Sequence, residues 1–128
     1  MADAQPGVLG PGEGGRRFTA RGSVMLFKAV AEQDGGDFSL MERTLPPGGR
    51  RPPPHRHTNC SEAYFVLVPR GTAHTFGNGG DARARLLVLH APALDAYFAG
   101  LHDLWNRPEP PSPGEERALM SRFGMEPA

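Results

Sequence analysis

The sequence predicts an antiparallel β domain with two helices appended at its C-terminal end. Three observations carry this: short apolar runs separated by Gly/Pro turns through residue 90, the absence of helical periodicity in that region, and a switch to three- and four-residue apolar spacing after it. At 128 residues the chain suits one domain.

The elements follow in order. Residues 1–15 read as a flexible leader. It carries Gly10, Gly12 and Gly15 in a G-x-G-x-x-G spacing, but Pro11 interrupts it and no strand precedes it, so no nucleotide site is expected. Val24 to Ala31 and Phe38 to Leu45 are strand-length apolar stretches, and Asp34-Gly35-Gly36 between them signals a hairpin turn. Pro46-Pro47-Gly48-Gly49 ends the second strand, and Pro52-Pro53-Pro54 holds the next stretch extended. Ala63 to Val68 reads as one apolar strand, and Pro69-Arg70-Gly71 as a turn. His74 to Phe76 reads as strand, Gly77 to Gly80 as another turn, and Ala84 to His90 as the last clear strand.

Beyond it, Leu94, Tyr97, Phe98, Leu101, Leu104 and Trp105 form one helical stripe, with Trp105 expected to anchor the helix to the β domain. Ser112-Pro113-Gly114-Glu115 is a capping box with proline at the first helical position. The helix it opens carries Leu119, Met120 and Phe123, with Gly124 as its stop. The expected organisation is a leader over 1–15, a β-barrel over 16–92 and helices over 93–128.

Acidic and basic residues balance at 14 each, so no net field favours nucleic acid or an anionic membrane. Cys60 is the only cysteine, which excludes an intrachain disulfide and suits a reducing compartment. Residues 1–15 lack a basic and apolar signal pattern, and no apolar run reaches the ~20 residues of a membrane span, so a cytoplasmic protein is expected.

Four side chains carry the chemistry. His55-Arg56-His57 on an extended strand points two imidazoles to one face. Glu62 follows at the start of the next strand, and His74 after the next turn. Three imidazoles and a carboxylate suit a divalent first-row transition metal. His90 reads as a structural or surface histidine, and His102 as solvated. Cys60 reads as a small semi-buried residue, because a nucleophile needs a free base beside it. Arg50, Arg51 and Arg56 read as a solvated face, and Tyr64, Phe65 and Phe76 as core.

The segment Gly49-x5-His55-x-His57-x4-Glu62 resembles the first motif of the cupins, and Pro69-x-Gly71-x2-His74-x3-Asn78 resembles the end of the second. The likeness is to small single-domain bacterial cupins, including quercetin-dioxygenase-like ones. It implies an all-β double-stranded β-helix (jelly roll) in which His55, His57, Glu62 and His74 ligate one divalent ion (Fe, Mn, Ni, Co, Cu or Zn). It implies that Gly71 makes the turn that aims His74 and that Asn78 closes the next turn. A metal-dependent dioxygenase-like activity on a small organic molecule follows by analogy, with Glu62 a ligand able to act as base. A homodimer is expected, and no nucleic-acid or membrane partner. The alternative is a non-catalytic ligand-binding or metal-free remnant cupin.

The sequence departs from the family between the motifs. Pro69 stands where the first motif places glycine after Glu62, and Ala63 where the second begins with one. A barrel shortened by about two strands, roughly 20 residues, is therefore expected, with unpaired edges left behind.

Overall fold

The computed structural model describes residues 8–49, 51–64 and 66–128. Eight strands and three helices run in the order β1 (Arg16–Ala20), β2 (Ser23–Ala29), α1 (Ala31–Asp34), β3 (Ser39–Leu45), β4 (His55–His57), β5 (Ser61–Ala63), β6 (Leu67–Val68), β7 (Ala84–Ala91), α2 (Asp95–Trp105), α3 (Pro113–Arg122) and β8 (Met125–Pro127). Six strands form one antiparallel sheet in the order β1-β2-β3-β7-β5-β6, and β4 and β8 form a separate pair. The protein is thus β-rich with two C-terminal helices, as the sequence implies.

β1 and β2 are joined by Arg21-Gly22, both with positive φ (51° and 76°), the backbone a tight hairpin matched to strand twist requires. The expected β2–β3 hairpin forms, but its connection contains the short helix α1, capped by Gly35 at φ 75°. Along β3 and β7 the side chains alternate. Ser39, Met41 and Arg43 face the interior beside Val88 and His90, while Leu40, Glu42 and Leu87 face the other side.

The core lies between that inner face and the C-terminal helices. Phe27, 1 % exposed, meets Phe98 of α2 at a ring separation of 5.8 Å, and Tyr97, Leu101, Leu119 and Met120 complete the layer. Each such side chain contributes roughly 1.5–3 kcal/mol by leaving water. α3 starts as its sequence dictates: Ser112 Oγ accepts from Glu115 N–H and Glu115 accepts from Ser112 N–H. Gly100 has a packing reason, since a Cβ there would sit 3.0 Å from Leu119 Cδ1. Trp105 packs against the same core.

Several expectations are corrected. Ala63 to Val68 is not one strand. The chain reverses within it, pairing Glu62 with Val68 and Ala63 with Leu67, and Tyr64 N–H donates to Val66 O. This reversal returns the chain toward the site without a longer hairpin. Pro69-Arg70-Gly71 then turns it again, with Thr72 N–H on Pro69 O and Gly71 at φ 80°. His74 to Phe76 is not a continuous strand; only His74 makes a bridge, to His55. His102 is not solvated: its Nδ1 accepts from Thr19 N–H at 2.9 Å and its ring lies 5.5 Å from Phe18. Gly10 to Gly15, placed in the leader, hydrogen-bond to the sheet. Gly12 N–H donates to Glu42, Lys28 Nζ to Gly10 O and Glu13 O, and Gly15 N–H to Phe27 O. The sequence reading of Arg50 and Phe65 falls outside the described residues. Among the described residues no helix is long and apolar enough to cross a membrane.

Candidate metal centre

The site is built by three short pairings. β4 is only three residues long, and its alternation buries His55 and His57 (5 % and 4 % exposed) on one side with Arg56 on the other. One edge of β4 pairs with β8, with His55 opposite Pro127 and His57 opposite Met125. At the other edge His55 and His74 exchange both backbone hydrogen bonds, at 3.0 and 2.8 Å. Directly opposed residues share a face, so the His74 ring stands 4.5 Å from that of His55 and 5.2 Å from that of His57. Gly71 N–H donates to His57 O at 2.7 Å, fixing the turn that delivers His74. Asn78 closes the following turn by donating to Ala82 O and Leu45 O and accepting from Gly80 N–H.

Glu62 enters from β5, 3 % exposed, where register sets it opposite His90 of β7. Its Oε2 lies 2.7 Å from His74 Nε2 and 3.6 Å from His57 Nε2, and its Oε1 lies 3.2 Å from His90 Nε2. The four side chains expected from sequence thus lie in one neighbourhood, as two overlapping groups, His55 with His57 and His74, and Glu62 with His57 and His90.

The hydrogen bonds around the rings decide which nitrogens face inward. His55 Nδ1 lies 2.7 Å from Pro53 O, and His74 Nδ1 2.9 Å from Thr72 O. A carbonyl only accepts, so each Nδ1 carries a proton and the neutral ring presents a bare Nε2 lone pair. This is the outer-shell arrangement of metal-binding histidines. His74 Nε2 and Glu62 Oε2, despite their 2.7 Å approach, have no directed hydrogen bond among the described residues. Metal bonds of about 2.1 Å space neighbouring ligand atoms roughly 3.0–3.4 Å apart, and the 2.7 and 3.6 Å separations bracket that spacing. The ligand atoms of His55, His57 and His74 lie within 4.8 Å of one another, as do those of His57, Glu62 and His90. The residues present fit a divalent ion.

Without an ion, the electrostatics favour neutral His55 and His90 and an ionised Glu62, while Glu62 favours the protonated form of His74. Burial pushes His55 down to about 4, helped by the neighbouring imidazoles His57 and His74. Burial acts to raise Glu62, but contacts with His57, His74 and His90 outweigh it and hold the carboxyl far below the usual range. His74 is raised by the Glu62 carboxylate, and His90 is lowered by burial.

Of the two readings of His90, structural or surface, the structural one holds, and its contact with Glu62 is the feature the sequence did not show. His90 is 1 % exposed and its ring lies 5.6 Å from that of His57. The signal was present, since Leu86, Val88 and His90 alternate along β7; its pairing with Glu62 was not legible. Cys60, 2 % exposed, is pushed up to about 11 by burial and by Glu62, which removes it as a nucleophile. Tyr64 and Phe76 pack 6.0 Å apart. A cavity of about 20 Å³ borders the cluster, lined by His55, His57, Glu62, His90, Arg43 and Phe76 among others. A larger hollow of about 620 Å³ lies between Leu9-Gly10-Pro11 and the sheet residues Leu40 and Glu42; no histidine lines it. No protein-family model matches the chain, and no curated protein matches it.

Proposed function

We propose that the chain is a cupin-type protein that binds one divalent transition-metal ion through His55, His57, His74 and Glu62, as a site for metal-dependent, dioxygenase-like chemistry on a small organic molecule. The observation that carries this is the pair of Nδ1-anchored imidazoles, His55 and His74, with His74 Nε2 2.7 Å and His57 Nε2 3.6 Å from the buried Oε2 of Glu62. When bound, the ion supplies Lewis acidity and an orienting point. His90 positions Glu62 by holding Oε1, which leaves Oε2 for the ion. Of the two roles considered for Glu62, ligand fits better than base, because a carboxyl held so far below its usual range is a poor proton acceptor near neutral pH. Elemental analysis of protein purified without chelator tests the reading. Near one equivalent of Fe, Mn, Ni, Co, Cu or Zn supports it, and no uptake of any of them ends it.

One observation favours the alternative of a non-catalytic binding protein: a cavity of about 20 Å³ holds little more than a water-sized group beside the cluster. Oxygen-uptake assays of the loaded protein with phenolic and diketone compounds separate the two. A homodimer belongs to the same proposal. The edge strand β6 and its turn expose Val66 and Leu67 (60 % and 65 %), which favours association, and sedimentation measures it.

A further inference from the structure

Arg43 projects from the inner face of β3 into the wall of the cavity beside the histidines, 3 % exposed. Its guanidinium carbon stands 4.9 Å from the centre of the Phe76 ring and 5.9 Å from that of Phe98. Nη2 donates to Ser23 Oγ at 3.2 Å, while Nε has no hydrogen-bond partner among the described residues. The interior carboxylates are engaged elsewhere, Glu116 with Arg21 and Glu62 with His57, His74 and His90. Arg43 is therefore a buried cation with no carboxylate in direct contact, compensated only at a distance by Glu62, an arrangement that costs stability.

We propose that Arg43 is a specificity-determining residue that binds the oxygen of a small carboxylate ligand lodged between its guanidinium and the metal centre. The proposal rests on the metal reading above and names the ligand class. With neutral imidazoles, a divalent ion and one Glu62 carboxylate leave one positive charge, and Arg43 adds a second at the same cavity. Arg21, which also lines it, is neutralised by Glu116. An oxyanion is the ligand that balances this pair, and guanidinium geometry suits a carboxylate edge. The aromatic faces of Phe76 and Phe98 hold the guanidinium from the sides and contribute no competing acceptor. The small volume, about 20 Å³, limits the occupant to the smallest carboxylates, on the scale of formate. A purely structural Arg43 would instead have its donors satisfied by the protein.

The experiment uses formate as the probe, against chloride at matched ionic strength. Thermal melting is followed for metal-free and Co(II)-loaded full-length protein, wild type and Arg43→Met. Formate raises the wild-type melting temperature by roughly 10 °C at a hundred-fold excess over its Kd. It shifts the visible Co(II) bands and does neither in Arg43→Met, which melts at or above the wild-type temperature without formate. An equal formate response in both proteins, or none in either form of the wild type, overturns the proposal. If Arg43→Met does not fold, Arg43→Lys decides: at least a tenfold loss in formate affinity supports the assignment, and unchanged affinity overturns it. Metal content is measured separately in every sample. Failure to load cobalt therefore refutes the metal reading, while the metal-free arm still decides the anion site.

Discussion

His55 and His74 are joined twice, by a reciprocal backbone pair at 3.0 and 2.8 Å and by rings 4.5 Å apart. Backbone pairing at one residue on each side sets the two imidazoles on one face, and the carbonyls of Pro53 and Thr72 then fix their tautomers. The geometry of the candidate site is thus held by main chain, with side-chain packing secondary.

That division predicts how ligand removal behaves. The His74 side chain is 8 % exposed and touches the Glu62 carboxylate, so His74→Ala costs about 1–3 kcal/mol of folding stability by taking away a buried partner. The same change lowers metal affinity by more than about 100-fold, since loss of outer-shell partners alone typically costs 10–100-fold. Competition titration against a chromophoric chelator, alongside urea unfolding, reads both quantities. Unchanged affinity would remove His74 from the ligand set.

The metal-free protein loses stability as pH falls from about 6.5 to about 4. His55 and His90 both have folded values below the unfolded 6.5, so the unfolded chain binds more protons over this window. Their stabilisation is present above pH 6.5 and lost on acidification, on the order of 2–3 kcal/mol for His55. His74 acts oppositely: its raised value gives stabilisation present below 6.5 and lost as pH rises through the folded value. Glu62, lowered, contributes above 4.5 and is lost only in stronger acid. The two lowered imidazoles outweigh the single raised one. Urea midpoints across the range should fall toward acid, with a shallower slope in His90→Gln; a midpoint that rises toward acid contradicts the assignment.

Much of this site was legible from spacing. Alternation placed His55 and His57 together, and the cupin-like motifs added Glu62 and His74. The hairpin inside Ala63 to Val68 was not legible, because a six-residue apolar run carries no Gly, Pro, Asn or Asp to announce a reversal. Nor was β8. Met125–Pro127 has no apolar alternation, and its pairing with β4 is set by where α3 ends. The partners of His102 and His90 were not legible for a common reason: whether a ring nitrogen finds Thr19 N–H or Glu62 depends on tertiary neighbours more than 25 residues away in sequence.

Cys60 resists alkylation in the folded state. A thiol pushed up to about 11 has roughly 100-fold less thiolate near pH 8 than one at 9, and burial adds a steric barrier. Iodoacetamide labelling followed by mass spectrometry should be at least about 100-fold slower in buffer than in denaturant. Comparable rates would mean the thiol is open to solvent.

Arg21 and Glu116 form a buried ion pair between the β1–β2 turn and α3. Removing either partner strands a charge, so Arg21→Met or Glu116→Leu destabilises by about 3–5 kcal/mol. The double variant strands none and loses clearly less than the sum. Urea unfolding of the four proteins completes the cycle; additive losses would show that the two side chains do not interact.

The C-terminal strand should matter to metal binding more than to folding. Truncation after Met125 keeps that buried side chain but removes the partners of Arg56 and His55, and the bond from Ala128 N–H to Pro54 O. β4 then keeps the His74 bridge, the Gly71 bond and, at its far end, the His57–Met125 pairing with Thr58 on Gly124 O, so His55 loses its β8 support while His57 keeps its own. Metal affinity should drop about tenfold or more. Met125→Ala keeps the strand and removes core volume, so it costs about 2–5 kcal/mol of stability while leaving affinity closer to wild type. The two variants thus separate strand support from packing. If truncation leaves affinity unchanged, β8 is dispensable to the geometry of His55 and His57.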